Sequence, residues 1–404
     1  MNIKTVLKTS VAAAALVAVA APVVSTSAEA GISNGNKNSL VVNGQIVRQI
    51  LFADDGNNSG MFLTDGTSTS SRVRWIAKGQ ATEAVEIGGI IELNIPQSNA
   101  GGTQSLGQAN TAAVVNNVGG TAGVTATSNG ANVESEGTDG SWGIRLIDIS
   151  FKHKSMGKLS IGQGNTASNG KSETSLAGVG SILAASTGGA LGGGLSFWDN
   201  TNNVYTAKKS GSSFASHDGL SRDDRIRYDL PTFAGVSLAT SLAKGGNWDI
   251  GAGYSGKFGG IQVAAGAQYN NTSATSTTKE GTHSASLAVK HDSGLNAEVT
   301  WGEERNESGV AATTAESEHL AFGLGYIGNF VNLGSTAMQV TYTKTEEAAA
   351  QGDEAIAWNV AVAQNLSAVG SQLYLQYERV SLEDNVSTDY DDISMFMAGA
   401  KVTF

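Results

Sequence analysis

Alternation of apolar with small or polar residues at period two recurs along most of the chain. In residues 392–404 (DISMFMAGAKVTF), Phe396, Ala398, Ala400, Val402 and Phe404 share one face, and Gly399, Lys401 and Thr403 share the other. Such a pattern marks a strand whose two faces meet different surroundings. The same reading gives strands at 39–52, 72–78, 84–95, 142–153, 158–163, 224–230, 236–243, 248–257, 261–270, 283–290, 295–302, 319–327, 334–344, 355–364 and 372–382. With 392–404 these make about sixteen strands, many near the ~9–11 residues that a tilted membrane-spanning strand needs. Between them, residues 53–70, 96–141 and 164–223 read as loops rich in Gly, Asn, Ser and Thr.

The connections alternate in length. Joins after odd-numbered strands are mostly long, and joins after even-numbered strands are short; only the join after the seventh strand, at Gly245 and Gly246, is shorter than its class. Short turns at one end and long loops at the other are the habit of transmembrane barrels. Under this topology Trp142, Trp248, Trp301 and Tyr342 fall near the long-loop rim, and Phe151, Tyr228, Phe258 and Phe404 near the short-turn rim. Two aromatic girdles follow when rings settle at headgroup depth. The fold class expected is all-β, a 16-stranded antiparallel transmembrane β-barrel. Its last strand should pair with 39–52, because closure removes both sheet edges.

Composition sharpens this picture. The 404 residues include 52 glycines, 3 prolines and no cysteine, and only 15% are charged. The absence of cysteine excludes a disulfide framework and thiolate metal sites. The formal net charge of −11 makes a nucleic-acid partner a poor expectation. Lys4 and Lys8, an alanine-rich apolar run from 11 to 24, and Ala28-Glu29-Ala30 read as a signal peptide over residues 1–30. Residues 31–404 form the barrel. No apolar run is long enough for a membrane-spanning helix.

Three stretches, VVNGQIVRQILFADDG, DDRIRYDLPTFAGVSL and MFMAGAKVTF, resemble the general porins of Gram-negative outer membranes, most like those of alphaproteobacteria. The resemblance covers residues 31–404. It implies an exported outer-membrane homotrimer in contact with lipid and lipopolysaccharide, passing small hydrophilic solutes and ions by diffusion. It also implies that the long third loop, 164–223, folds inward and constricts the channel.

On that loop Glu173, Asp199 and Asp218 are the candidate pore acids. The facing basic wall is expected from Arg72, Arg74 and Lys78, from Arg225 and Arg227, and from Arg48, whose strand is apolar on both faces. Opposed charges across a narrow lumen create a transverse field that sets ion preference. Phe404 is the candidate for barrel closure. The outer loops are acidic, and Asp54 and Asp55 are a candidate site for structural Ca²⁺ or Mg²⁺; no other cofactor is expected.

No catalytic constellation emerges, so no enzymatic role is expected. Gly251, Gly253 and Gly256 spell a dinucleotide fingerprint, but they lie within a strand with no helix after it. The five histidines are scattered singly. An outer-membrane adhesin or binding protein with functional acidic loops is the alternative. A secreted β-solenoid would need a fixed short repeat, which is absent.

Overall fold

The computed structural model describes residues 38–66, 68–95, 104–107, 142–180, 191–311 and 314–404. The expected signal peptide, residues 1–30, lies outside the described residues, as does most of the 96–141 tract. The wall strands are β1 (Ser39–Asp54), β2 (Ser59–Asp65), β3 (Arg72–Gln80), β4 (Val85–Asn94), β5 (Gly143–His153) and β6 (Gly157–Asn165). A short separate hairpin follows, β7 (Ser196–Asp199) and β8 (Val204–Lys209). The wall resumes with β9 (Arg222–Asp229), β10 (Val236–Ala243), β11 (Trp248–Phe258), β12 (Ile261–Asn271), β13 (Lys279–His291) and β14 (Leu295–Asn306). It ends with β15 (Glu318–Val331), β16 (Gly334–Glu346), β17 (Glu354–Leu366), β18 (Ser371–Glu383) and β19 (Ile393–Thr403).

Each wall strand pairs antiparallel with its neighbours. β2 and β3 both pair with β1, one with its far half and the other with its near half. They are one wall strand interrupted at residues 66–71, which makes the barrel sixteen-stranded. Ser71 bridges the interruption by hydrogen bonding both the backbone N and O of Val47, at 3.0 and 3.2 Å. Closure is between β1 and β19, with Gln45 opposite Thr403 and Asp54 opposite Ser394. Gly44 and Phe404 then exchange two backbone hydrogen bonds of 2.8 and 3.0 Å, so the last residue seals the ladder. The pairing expected for the C-terminal strand is the one observed.

One expected loop is corrected. Residues 53–70 were read as a loop because they are rich in Asp, Gly and Asn. They instead hold a hairpin whose turn is confined to residues 55–58, followed by β2. The Asp55 Oδ1 accepts from the backbone amides of Asn57 and Asn58 at 3.1 and 2.8 Å, closing that turn locally. The join after the first strand is therefore short, as is the join after β10.

The outer face is apolar: Ile46, Ile50, Phe52, Leu63, Ile149, Leu238, Ile250, Leu324, Val340, Val360 and Leu375 are all exposed on it. The opposite face of the same strands is small or polar and buried, as with Ser241, Ser284, Thr300, Gln339, Thr341 and Asn359. The outer ring pairs Phe52–Phe396, Trp248–Tyr269 and Tyr342–Trp358 sit toward the long-loop end. Phe258, Phe404 and the stacked Tyr254–Phe258 pair sit toward the short-turn end.

The connection between β6 and β9 lies against the buried face of the wall. Ala167 N donates to Ser241 Oγ at 2.8 Å, and Ser168 N donates to Asp249 Oδ2 at 2.9 Å. Ser286 Oγ donates to Lys171 O, Thr300 Oγ1 to Ser172 O, and Gln268 Nε2 to His217 O, at 2.6, 3.0 and 3.0 Å. Further along, Leu191 N donates to Glu378 Oε2 at 3.2 Å. Leu191, Leu195 and Phe197 are fully buried among Val47, Leu51, Ala361, Tyr374, Met395 and Met397. Burying such a side chain stabilises by roughly 1.5–3 kcal/mol, so this apolar patch fixes the connection on β16–β19 and β1.

Wall glycines make room for it. A Cβ at Gly251 would stand 2.0 Å from Ala167 O, and one at Gly266 would stand 2.4 Å from Lys171 O. Gly251 is one of the residues that spelled a dinucleotide fingerprint; here it lets loop backbone approach the wall.

Candidate functional site

The connection covers the buried face from β10 around to β1. Strands β3 to β5 carry a group of arginines on the same inner face. Arg74 on β3 donates through Nε to Glu92 Oε2 on β4 at 2.6 Å. Arg145 on β5 donates through Nε to Glu92 Oε1 at 2.7 Å, and Arg72 Nη1 lies 3.6 Å from the same oxygen. Glu92 is 2% exposed, so one buried carboxylate anchors three guanidiniums. A buried charge requires such pairing. Arg222, at the start of β9, lies within electrostatic reach of Arg145, Glu92, Asp218 and Glu173.

Glu173 is the counterpart on the connection. It is solvent-exposed, yet the protein around it desolvates the carboxyl and pushes its pKa up, with Arg222 opposing the shift. The side chains of Glu173 and Arg222 make no hydrogen bond or ion pair among the described residues, and their charges act on one another at longer range. Asp218 lies next to Glu173. Burial and then the Glu173 charge push its carboxyl well up. It also clamps the loop start, accepting from Gly170 N and from Asn169 Nδ2, the latter at 3.0 Å.

Other expected site residues fall elsewhere. Asp199 is buried in the β7–β8 hairpin and accepts from Thr201 N, Asn202 N and Asn202 Nδ2 at 2.8, 3.0 and 2.7 Å. It shapes a turn. Arg48 shares the outer face with Ile46 and Ile50 and pairs with Asp65. Period-two geometry excludes it from the inner wall. Lys78 is exposed at the short-turn end, away from Glu92. Arg225 is buried and pairs with Asp148 at 2.8 Å. Arg227 pairs with Asp229 and donates to Thr166 O, both at 2.6 Å. These two stitch the loop start to the wall, and each charge is met in place.

Sequence reasoning missed Glu92, Arg145 and Arg222. A register shift between β4 and β5 at Glu92/Leu93 breaks the period that would have assigned Arg145 a face. Arg222 sat at the end of what read as loop. Asp54 Oδ1 accepts from Gly56 N at 3.0 Å, so both Asp54 and Asp55 serve their own turn. Among the described residues no group of three or more His, Asp or Glu is arranged to hold a metal ion.

The likeness to solved structures is broad. An anion-selective porin of Comamonas acidovorans matches with a TM-score of 0.55 at 12% identity, covering 91% of this chain and 100% of that one. The trimer form of OmpT from Vibrio cholerae gives 0.54 at 12% identity, covering 91% and 100%. OmpF of Salmonella typhi, in complex with daunomycin, gives 0.50 at 14% identity, covering 91% and 98%. At these identities the likeness speaks for the fold. No curated protein sequence matches. The family profile described as Gram-negative porin matches residues 10–385. A closed barrel with an apolar outside, an enclosed aqueous inside and this family match decides against the adhesin reading: the chain belongs to the Gram-negative porin family and forms an outer-membrane channel for passive diffusion of small hydrophilic solutes and ions.

Proposed function

We propose that residues 164–223 fold into the lumen and narrow it to an eyelet between Glu173 and the Arg72–Arg74–Arg145–Arg222 wall. The observation that carries this reading is Glu173, exposed on the connection, whose charge and that of Arg222 act on one another beside the arginines gathered on Glu92. Charges of opposite sign across such a gap order water and disfavour apolar solutes. The eyelet holds more guanidinium than carboxylate, so it prefers anions even though the chain as a whole is acidic. Conductance in a planar bilayer under a salt gradient tests this. A reversal potential of cation-selective sign refutes the eyelet assignment.

The assembly is a homotrimer, and the outer face of β1 and β2 lies against a second copy. Arg48 and Asp65 support this. Arg48 lies midway between the level of Phe404, which pairs at Gly44, and that of Phe52. An arginine facing lipid near the midplane costs roughly 2–4 kcal/mol. Cover by another protein surface removes that cost. Conductance steps grouped in threes are the expected signature, and solitary steps would remove the trimer. The remaining apolar face contacts outer-membrane lipid. The acidic long-loop end approaches lipopolysaccharide through divalent cations, with the exposed Asp54 among the carboxylates and Asp55 kept buried in its turn. No resident cofactor serves the channel, because diffusion down a gradient requires none.

A further inference from the structure

We propose that the β7–β8 hairpin forms a second size filter at the long-loop mouth of the channel, beyond the eyelet, and that Lys208 is the latch that holds it in place. The hairpin belongs to the β6–β9 connection, and β7 is buried along its whole length. Phe197 packs it on the inner wall, in the apolar patch with Val47, Leu51 and Met397. The tip at Thr201, Asn202 and Asn203 stays exposed, as do Val204, Ala207 and Lys209 on β8. One side of the hairpin is fixed to the wall and the other meets water.

The hairpin also bonds the joins at the long-loop end to one another. The backbone of β7 holds the last join, between β18 and β19. Asp199 forms an antiparallel bridge with Tyr390, Asn200 N donates to Asp389 O at 2.8 Å, and Asp391 N donates to Trp198 O at 3.0 Å. Tyr205 on β8 holds the first join, its Oη accepting from Asn58 Nδ2 at 2.7 Å and from Asn57 Nδ2 at 3.2 Å. Lys208 holds the join between β16 and β17, its Nζ donating to Asp353 Oδ1 at 2.7 Å. The same ammonium lies 3.5 Å from Asp384 Oδ2 in the last join, which also accepts from Tyr390 Oη at 2.9 Å. Three joins from separate parts of the wall therefore meet on one hairpin. The barrel closes through its own β1–β19 ladder and has no edge left to protect, so these bonds act on the mouth. The width of such an opening limits which solutes pass.

Lys208 is the latch because its charge is shared. The side chains of Asp353 and Asp384 are each 5% exposed, and both bond this ammonium. Without it two enclosed carboxylates repel, which drives the 347–353 and 384–392 joins apart and frees the hairpin between them. The filter does not depend on the charges of the eyelet, and its test leaves Glu173 and the arginines unchanged.

The test uses the full protein in a planar bilayer, with neutral polyethylene glycols of graded size added to one side at a time. In the wild type, polymers should cease to enter from the long-loop side at a smaller size than from the short-turn side. Equal cut-offs overturn the filter without any variant. Lys208→Met should raise the unitary conductance and move the long-loop cut-off to larger polymers, with the short-turn cut-off unmoved. Hydrogen exchange in detergent should show the protection of residues 196–209 and 384–392 falling at least about tenfold in that variant, while the wall strands keep theirs. Lys208→Arg should keep the wild-type cut-off. Combining Lys208→Met with Asp353→Asn and Asp384→Asn removes the repulsion along with the latch, so the wild-type cut-off should return. An unmoved cut-off in Lys208→Met, or a triple variant as open as the single one, overturns the latch. Symmetric cut-offs in a channel of anion-selective sign overturn the filter and leave the eyelet standing.

Discussion

From β3 to β9 the inner wall carries guanidiniums; from β10 around to β1 it carries glycine, serine, alanine and short amides. The first stretch meets its charges with Glu92, Asp148 and Asp229, and the second meets the chain's own loop. Arg72, Arg74, Arg145 and Arg222 need water or a counter-charge, and a loop laid over them would bury several charges at once. Gly251, Gly266, Ser241 and Ser286 instead accept loop backbone at close range and satisfy its amides and carbonyls. The difference teaches that the two halves are chosen by what covers them. The side of the lumen that stays open is the side that cannot be covered cheaply.

Several measurements would break or sharpen that contrast. Phe197→Ala empties the patch holding the loop on β16–β19 and β1; a loss of about 3–5 kcal/mol is expected, read by unfolding in detergent. The same variant should enlarge the unitary conductance, and a stable protein with wild-type conductance would mean that the loop is held elsewhere. Glu92→Ala leaves three guanidiniums without their shared anchor, and breaking a buried pair of this kind costs about 3–5 kcal/mol at most, less to the extent that lumen water reaches the arginines. On the covered half, Gly266→Val drives a side chain into Lys171 O, and overpacking of this sort costs about 1–3 kcal/mol. The matching change on the open half, Gly88→Val, would meet the Ser150 hydroxyl at 2.9 Å and no loop, and should cost less.

The smallest effects concern selectivity. Glu173→Gln removes a negative charge from the eyelet, so the reversal potential should move further toward anions without loss of stability. Acidification should mimic it. Burial raises the carboxyls of Glu173 and Asp218, so they take up protons at a higher pH than an ordinary carboxylate. Anion preference should therefore rise as pH falls through that raised range, and Glu173→Gln should flatten the profile. A profile that steepens in the variant would place the titrating groups elsewhere.

Much of the fold was legible because alternation is a local property. Each strand reports its own two faces, and the lipid side tolerates few charges, so the pattern of Leu373, Leu375 and Tyr377 against Gln372, Tyr374 and Gln376 is readable without partners. The closing pair of β1 and β19 followed from the need to remove edges. The site was less legible. Arg72 and Arg74 were expected on one strand face and meet there at Glu92, but Arg145 was hidden by a register shift, and Asp199 is tied into its own turn by neighbours that only the fold reveals. Residues 59–65 looked like loop because turn residues surround them on both sides.

The sequence by itself determined a closed antiparallel barrel, the length class of most of its joins, and the identity of the long connection. Those rest on periodicity and composition, which each segment carries alone. Only the tertiary structure decided which charges are spent on one another and which face water. Arg225 and Arg227 are consumed by Asp148 and Asp229, Arg48 points outward to Asp65, and Arg72, Arg74 and Arg145 gather on Glu92. A charge declares its role through neighbours many residues away, and strand register and loop path choose those neighbours.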